Sequence, residues 1–466
     1  MKRAYFLVAI LCSACQFDVT GSSDDRVRPQ EKVPDAATAD SSMQQACEGE
    51  KLATCVDEDT IRHCGSGQVE NCSLGCLESE RGAHCGVVVP SNGVDPLLLD
   101  GASAELVIPS GETWIMDTGV GAIYRCGAEW VRGNGKGILD GIFFQPVSRR
   151  RGASLGIFAF RSLSVAGGAN LRAVGSHALV LLVDRASIRG TIDVSGGNAA
   201  CGMRAACGIE EGSRRCGGPG GGWGGDERMA GQGEGAGGGG GESTLVGNEY
   251  GGGGGGFGDV GGSGGSPQGG SGGTAYGVER TDPMAGGSGG GGGGLDPSST
   301  SGYGGGGGGA LQITAMESLE IFGPGSGIKA GGAGGGPGWD TSAGGGGGSG
   351  GAILLESTSL RIEGAIAANG GGGGGGAGLV GSSTAGESGA MSTARARGGT
   401  GTHAGGWGGA LEATAGSRGS PEENADGTGG GGGAVGRIYL RSTERGIKIE
   451  GGALSPKARV GEDLVQ

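Results

Sequence analysis

Cysteine supplies the clearest chemistry in this sequence, which holds twelve of them in 466 residues. Cys47, Cys55, Cys64, Cys72, Cys76 and Cys85 fall within 39 residues that contain few large apolar side chains. Burial cannot fold such a segment, so three disulfides are the natural staple; six cysteines allow fifteen connectivities and the spacing does not choose among them. Cys126, Cys201, Cys207 and Cys216 are expected to form two more bridges, pairing open. Three of these open the longest glycine-rich stretch, where a cross-link would fix the loop root. Zinc is the competing use of the sulfur, with His63 beside Cys64 and His84 beside Cys85. An oxidising compartment weighs against it.

The remaining candidates for chemistry are dispersed. His177 and His403 have no partner at metal-ligand spacing. Gly-x-Ser-x-Gly strings surround Ser263, Ser271, Ser288 and Ser349, but in Gly-Ser tracts this pattern arises by chance and none sits between a strand and a helix. Asp226, Asp296 and Asp340 each end a Gly-Gly-x-Gly-x-Asp string, the front of a calcium-binding nonapeptide. These copies are not in tandem and lack the following aliphatic residue, so no cofactor is expected, with calcium the one alternative. A polysaccharide lyase or hydrolase would need paired carboxylates on one face. In the repeat described below, Asp193 aligns with Ala367, Glu363 with Arg189 and Glu356 with Leu182. No acidic pair recurs, and no catalytic residue is assigned.

The chain opens Met1-Lys2-Arg3, continues through an apolar stretch from Tyr5 to Leu11, and reaches Cys12-Ser13-Ala14-Cys15. A basic start, a short apolar run and small residues before a cleavage point predict a signal peptide over 1–14, too short to span a membrane. The Ser13-Ala14-Cys15 ending resembles a bacterial lipobox, although Cys12 stands where leucine is usual. That resemblance implies a lipidated Cys15 as the mature N-terminus, held to a bilayer by acyl chains. Gln16 replaces the Asp that retains typical lipoproteins at the inner membrane, which points to the outer membrane or cell surface, with secretion as the alternative. Residues 15–46, rich in Ser, Asp, Ala, Gln and Pro, read as a disordered tether. A net charge of −14 argues against a nucleic-acid partner and suits a soluble extracellular surface.

Elements that could position anything must be found between glycines. Glycine supplies 123 residues, 96 of them within 196–436. Runs such as Gly251 to Gly256 exclude the every-third-residue spacing of collagen. Between the tracts, segments resemble one another: Ala178 to Gly197 superimposes on Ala352 to Gly371 without a gap. Looser copies begin at Ala310 and Ala434, and an upstream copy runs from Ile157 to Val174. Each reads as three short Ile-, Leu- and Val-rich strands with Gly or Ser corners, too short to bury its own apolar face unless stacked.

The expected fold is therefore all-β, a right-handed parallel β-solenoid (pectin-lyase-like) over 151–466, with an antiparallel sandwich as the competing architecture. Gly-rich insertions fall at 196–309, 331–350 and 370–433, each after the third strand of one rung and before the first of the next. Residues 87–150 are expected to cap the solenoid or enter it, and 47–86 to form a small disulfide-rich module. The insertions admit disorder, or extended glycine helices of the polyproline II type packed side by side.

The lipobox-like Cys15, the module ending Asn71-Cys72-Ser73-Leu74-Gly75-Cys76, the following Pro90-Ser91-Asn92-Gly93 and rungs of the Gly-Gly-Ala-Ile-Leu-Leu-Glu type together resemble the glycine-rich exported lipoproteins predicted in myxobacteria and related bacteria. The resemblance implies surface display and no established activity. The expected function is a non-catalytic surface lipoprotein, structural or adhesive, meeting an extracellular glycan, matrix or cell-surface protein. The alternative is a carbohydrate-active or carbohydrate-binding solenoid.

Overall fold

The computed structural model describes residues 53–79, 82–209, 212–240, 249–294, 300–378, 382–421, 427–443 and 445–465. The expected signal peptide and tether, with Cys15, and also Cys47 and Asp296, lie outside the described residues. The chain divides into two compact units: one runs to Cys72 and takes Cys76–His84, the other takes Ser73–Gly75 and Cys85 onward.

In the first unit, β1 (Ala53–Asp57), β2 (Thr60–His63) and β3 (Val69–Asn71) form an antiparallel sheet, and β4 (Cys76–Ser79) pairs with β5 (Gly82–Cys85). Its buried apolar side chains, among the described residues, are Ala53, Ile61 and Cys72. So small a core leaves stabilisation to covalent links. Cys55 is bonded to Cys76, joining β1 to β4, and Cys64, Cys72 and Cys85 are also disulfide-bonded.

The second unit begins with β6 (Glu105–Ile108) and β7 (Thr113–Asp117), followed by β8 (Ile123–Arg125), β9 (Trp130–Arg132), β10 (Gly137–Leu139) and β11 (Ile142–Val147). Strand triplets follow: β12 (Leu155–Ala159), β13 (Ser162–Val165) and β14 (Asn170–Val174); then β15 (Ala178–Ile188) and β16 (Thr191–Asp193). Next come β17 (Ala310–Ile321) and β18 (Gly327–Lys329); β19 (Ala352–Ser357), β20 (Leu360–Ile362) and β21 (Ala365–Ala367). The last are β22 (Arg437–Arg441), β23 (Ile447–Ile449) and β24 (Leu454–Ser455), with β25 (Arg459–Gly461) ending the series.

These strands stack in parallel as three columns. The first column runs β12, β15, β17, β19, β22, β25. β6, β13, the second halves of β15 and β17, β20 and β23 make the second. The third is β7, β14, β16, β18, β21, β24. Segment 87–150 thus supplies two strands to the columns as well as an end. At that end β8 and β11 add antiparallel to β7 and β12, and β9 and β10 extend them in turn. A buried Arg132 ties the end together by donating to the carbonyls of Gly121, Gly133, Gly135, Gly137 and Ile142.

Side-chain periodicity explains the columns. In the second column, Leu163 and Val165 point inward while Ser162 and Ser164 do not, the alternation of a half-buried strand. In the third, Leu171, Ile192, Ile328, Ile366 and Leu454 stand in register as an aliphatic ladder. Each fully buried member stabilises by roughly 1.5–3 kcal/mol. The first column is buried on both faces, and over 178–183 and 352–355 both faces are apolar, which is why these stretches read as unbroken hydrophobic runs. Leu179, Leu181, Leu311, Ile313, Ile353 and Leu355 fill the interior. Val180, Leu182 and Leu354 pack on the other side against Val94, Leu99, Phe257 and Met284.

The three glycine-rich segments all leave after the third column and return to the first, and their described residues share a regular main-chain hydrogen-bond pattern. Gly287, Gly290 and Gly293 donate to Gly308, Gly305 and Gly302; Gly289 and Gly292 donate to Gln232 and Met229; Gly291 and Gly294 donate to Gly253 and Tyr250. Successive residues thus address three neighbours in turn and return to the same one every third residue. That is the period of the polyproline II helix. The stretch 344–350 touches six others by the same rule: 250–257, 286–294, 302–309, 332–338, 370–377 and 427–436. Adjacent helices run parallel (Gly252 and Gly255 to Gly344 and Gly347) or antiparallel (Gly371 and Gly374 to Gly348 and Gly345). Of the two states the glycine tracts admitted, the structure takes the packed one. Its physical basis is the absent side chain: at Gly346 a Cβ would come within 2.0 Å of the Gly253 carbonyl oxygen.

Candidate functional site

The residues singled out by sequence take structural places. Cys126 pairs with Cys207 and Cys201 with Cys216. The first of these fastens the short helix α1 (Met203–Ala206), whose Ala206 packs on Ile115 and Val174 of the third column. Every cysteine among the described residues is disulfide-bonded, which fits an oxidising, extracellular environment. The sulfurs of Cys64 and Cys85 are therefore occupied, and His63 stands 3.3 Å from the Glu70 carboxylate. Among the described residues no group of three His, Cys, Asp or Glu side chains could hold a metal, and no helix is long and apolar enough to cross a membrane.

The Gly-x-Ser-x-Gly serines belong to the glycine lattice. Ser288 and Ser349 are fully buried, the Ser349 hydroxyl accepting from the Ser288 amide at 2.8 Å. The Ser288 hydroxyl donates to the Tyr276 phenol at 2.9 Å, whose pKa burial pushes up. Ser263 and Ser271 accept main-chain bonds from Gly419 and Gly238. His403 is buried where its backbone pairs with Gly376, and His177 donates its backbone N–H to the Thr118 hydroxyl. Asp226 is paired with Arg215 at 2.6 Å, and Asp340 occupies a left-handed turn position at φ 49°.

One polar constellation escaped the sequence reading. On the outer face of the first column, Leu182, Thr314, Glu356 and Arg441 are successive register partners. The gapless superposition of Ala178 to Gly197 on Ala352 to Gly371 sets Glu356 against Leu182, but a further strand, β17, lies between them. Glu356 is completely buried and its carboxylate receives the Ser91 amide at 3.1 Å, the Gln312 amide at 2.9 Å and the Thr314 hydroxyl at 2.7 Å. Arg441 reaches it at 3.0 Å and also donates to the Val89 carbonyl at 2.8 Å and the Asp463 carboxylate at 3.1 Å. Burial alone would favour a neutral guanidine, but the hydrogen bonds and charges of Glu356 and Asp463 outweigh it and raise the Arg441 pKa. Burial would likewise raise the Asp463 carboxyl, but the bond and charge of Arg441 win and hold it below the usual range. Asn92 extends the network, donating to the Gln312 side chain at 3.1 Å and accepting from Arg149 at 2.8 Å. Both oxygens of the Glu356 carboxylate are engaged inside the protein, so this is an arrangement that clamps segments 89–92 and 463 onto the column.

The glycine lattice also carries exposed aromatic side chains. Trp223, Trp339 and Trp407 project from it with 48%, 56% and 48% exposure, in the strings Gly-Gly-Trp-Gly-Gly, Gly-Pro-Gly-Trp-Asp and Gly-Gly-Trp-Gly-Gly. A lone exposed tryptophan held on a rigid backbone is a contact residue that loses little entropy on binding. No protein-family model, no curated protein and no solved structure matches this chain.

Proposed function

We propose that this chain is a non-catalytic surface lipoprotein of structural or adhesive type, tethered through a lipidated Cys15, in which a parallel β-solenoid carries a slab of packed glycine helices outward from one corner. The observation that supports this reading is the hydrogen bonding of the glycine helices, each interior one sharing main-chain bonds with as many as six neighbours. Among its described residues such a slab has few side chains to do chemistry. It offers stiffness, a protease-resistant backbone and contact residues fixed at its rim, which is what a display surface requires. The resemblance to glycine-rich exported lipoproteins fits the same role, with an extracellular glycan, matrix or cell-surface protein as the partner class.

Expression of the full chain in an outer-membrane-bearing host tests the proposal. Palmitate label should enter the wild type and be lost in Cys15→Ala, and antibody should reach the wild type on intact cells and increase their attachment to matrix or glycan surfaces. Wild-type chain that takes no label and stays in the periplasm would sink the anchor. Release of reducing or unsaturated ends from polysaccharide would sink the non-catalytic role.

A further inference from the structure

A cavity of about 390 Å³ lies where the third column, the disulfide-stapled loop and the first glycine helix meet. One wall is the end of β7 and the turn after β14, with Asp117, Gly175 and Ser176. A second is Ala200, Cys201 and Gly202, and a third is Gly217 to Gly221 with Trp223 and Gln232. Each wall is fixed in position. The loop bearing Cys201 is bonded to Cys216 within itself and, through Cys207, to Cys126 beside β8. Gly220 takes φ +74° against the Ala178 backbone, where a side chain would be strained. The Gln232 amide donates to the Trp223 carbonyl at 2.7 Å, so the two side-chain-bearing residues of the third wall sit on neighbouring glycine helices.

The lining has the composition of a site for a neutral sugar, and we infer that this cavity binds a mono- or disaccharide unit. Trp223 is nearly half exposed, and an indole face is electron-rich, so it attracts the weakly positive C–H face of a pyranose ring. Around it stand groups that exchange hydrogen bonds with hydroxyls. Asp117 Oδ1 accepts from the amides of Gly119 and Val120 at 2.8 and 3.3 Å, and its Oδ2 takes no bond from a described residue. The Ser176 hydroxyl is exposed beside His177, 3.3 Å from its Nδ1, and the Gln232 side chain is exposed. No cation lines the cavity, so the single carboxylate disfavours an acidic sugar. The volume is at the lower end of small-ligand sites, right for one or two sugar rings and too small for a longer chain to be enclosed. Preformed walls lower the ordering cost of binding, which a weakly held ligand such as a sugar requires.

This deepens the adhesive reading by naming its ligand class, and rests on it for the biological setting alone. The test uses the purified full chain, so it does not depend on anchoring or display. Methyl glycosides of glucose, galactose, mannose and N-acetylglucosamine, with cellobiose, lactose and chitobiose, are titrated while tryptophan fluorescence and heat are followed. At least one should bind saturably with a fluorescence change. Trp223→Ala should lose about tenfold or more in affinity, whereas Trp407→Ala, equally exposed but outside this cavity, should bind as wild type. Asp117→Asn should weaken binding, and glucuronate or galacturonate should bind at least about tenfold more weakly than the neutral sugar. Absence of saturable binding across the panel, equal loss in Trp223→Ala and Trp407→Ala, or preference for the uronates would overturn the assignment.

Discussion

Gly346→Val is expected to disrupt the glycine lattice, at a cost of about 3 kcal/mol or more. At this position a Cβ alone would come within 2.0 Å of the Gly253 carbonyl oxygen and 2.4 Å of its carbon, both backbone atoms of a neighbouring helix. Neither can withdraw independently, because Gly253 donates to Gly238 at 2.8 Å and accepts from Gly291 at 2.8 Å. The strain therefore spreads through Gly253 to the helix of Gly238, which makes no main-chain bond with residue 346. A side chain elsewhere in the unit provides the contrast: at Gly133 a Cβ meets nothing within 4 Å, so Gly133→Ala should fall within about 0.5 kcal/mol of wild type. Thermal melting with limited proteolysis of both variants checks this. If Gly346→Val melts with the wild type and is cut no faster, the lattice is not as described.

Removing the guanidinium in Arg441→Met should cost about 3–5 kcal/mol, because it strands a carboxylate that has no access to water. Glu356 is fully buried, with Thr314 and Arg441 as its register neighbours and Leu354 two residues before it on the same face, and its other three partners are neutral donors. The loss has a second part: Arg441 holds Val89 and Asp463, so segments that cover the first column are released. Glu356→Leu restores at that site the residue type found at Leu182. The double variant should therefore be less destabilised than the two single effects summed, with a coupling of at least about 1 kcal/mol. Denaturant melts of the four proteins measure the cycle. Simple additivity would show that the pair is not the energetic unit.

The strands were legible where chemistry forces a pattern. Residues 178–183 and 352–355 read as strands because both faces of the first column are apolar there, whereas the buried Gln312 and Thr314 interrupt the run in β17. Glycine was a different matter. A helix of glycine has no side-chain pattern, so its neighbours are chosen by backbone hydrogen bonds between residues such as Gly255 and Gly347, far apart in sequence. The presence of such helices could be considered from the run lengths, but their partners could not. The Glu356 network was hidden for a related reason. The best sequence match to β19 is β15, while its spatial neighbours are β17 and β22, with β17 and β22 preserving the pattern less well. Disulfide partners were hidden too, since Cys126 approaches Cys207 through the pairing of β7 with β14, which brings the loop after β16 over β8.

The glycine slab also sets how the molecule responds to temperature. Folding an ordinary domain removes much hydrocarbon from water, and the resulting heat-capacity change curves its stability with temperature. Here a large part of what folding buries is peptide group, whose exposure lowers heat capacity where apolar exposure raises it. The heat-capacity increment per residue should therefore fall below the usual ~12–15 cal/mol/K, giving a flatter stability curve than the same length of conventional core. A slab held by amides instead of oil keeps its strength in the cold, where hydrophobic stabilisation fades.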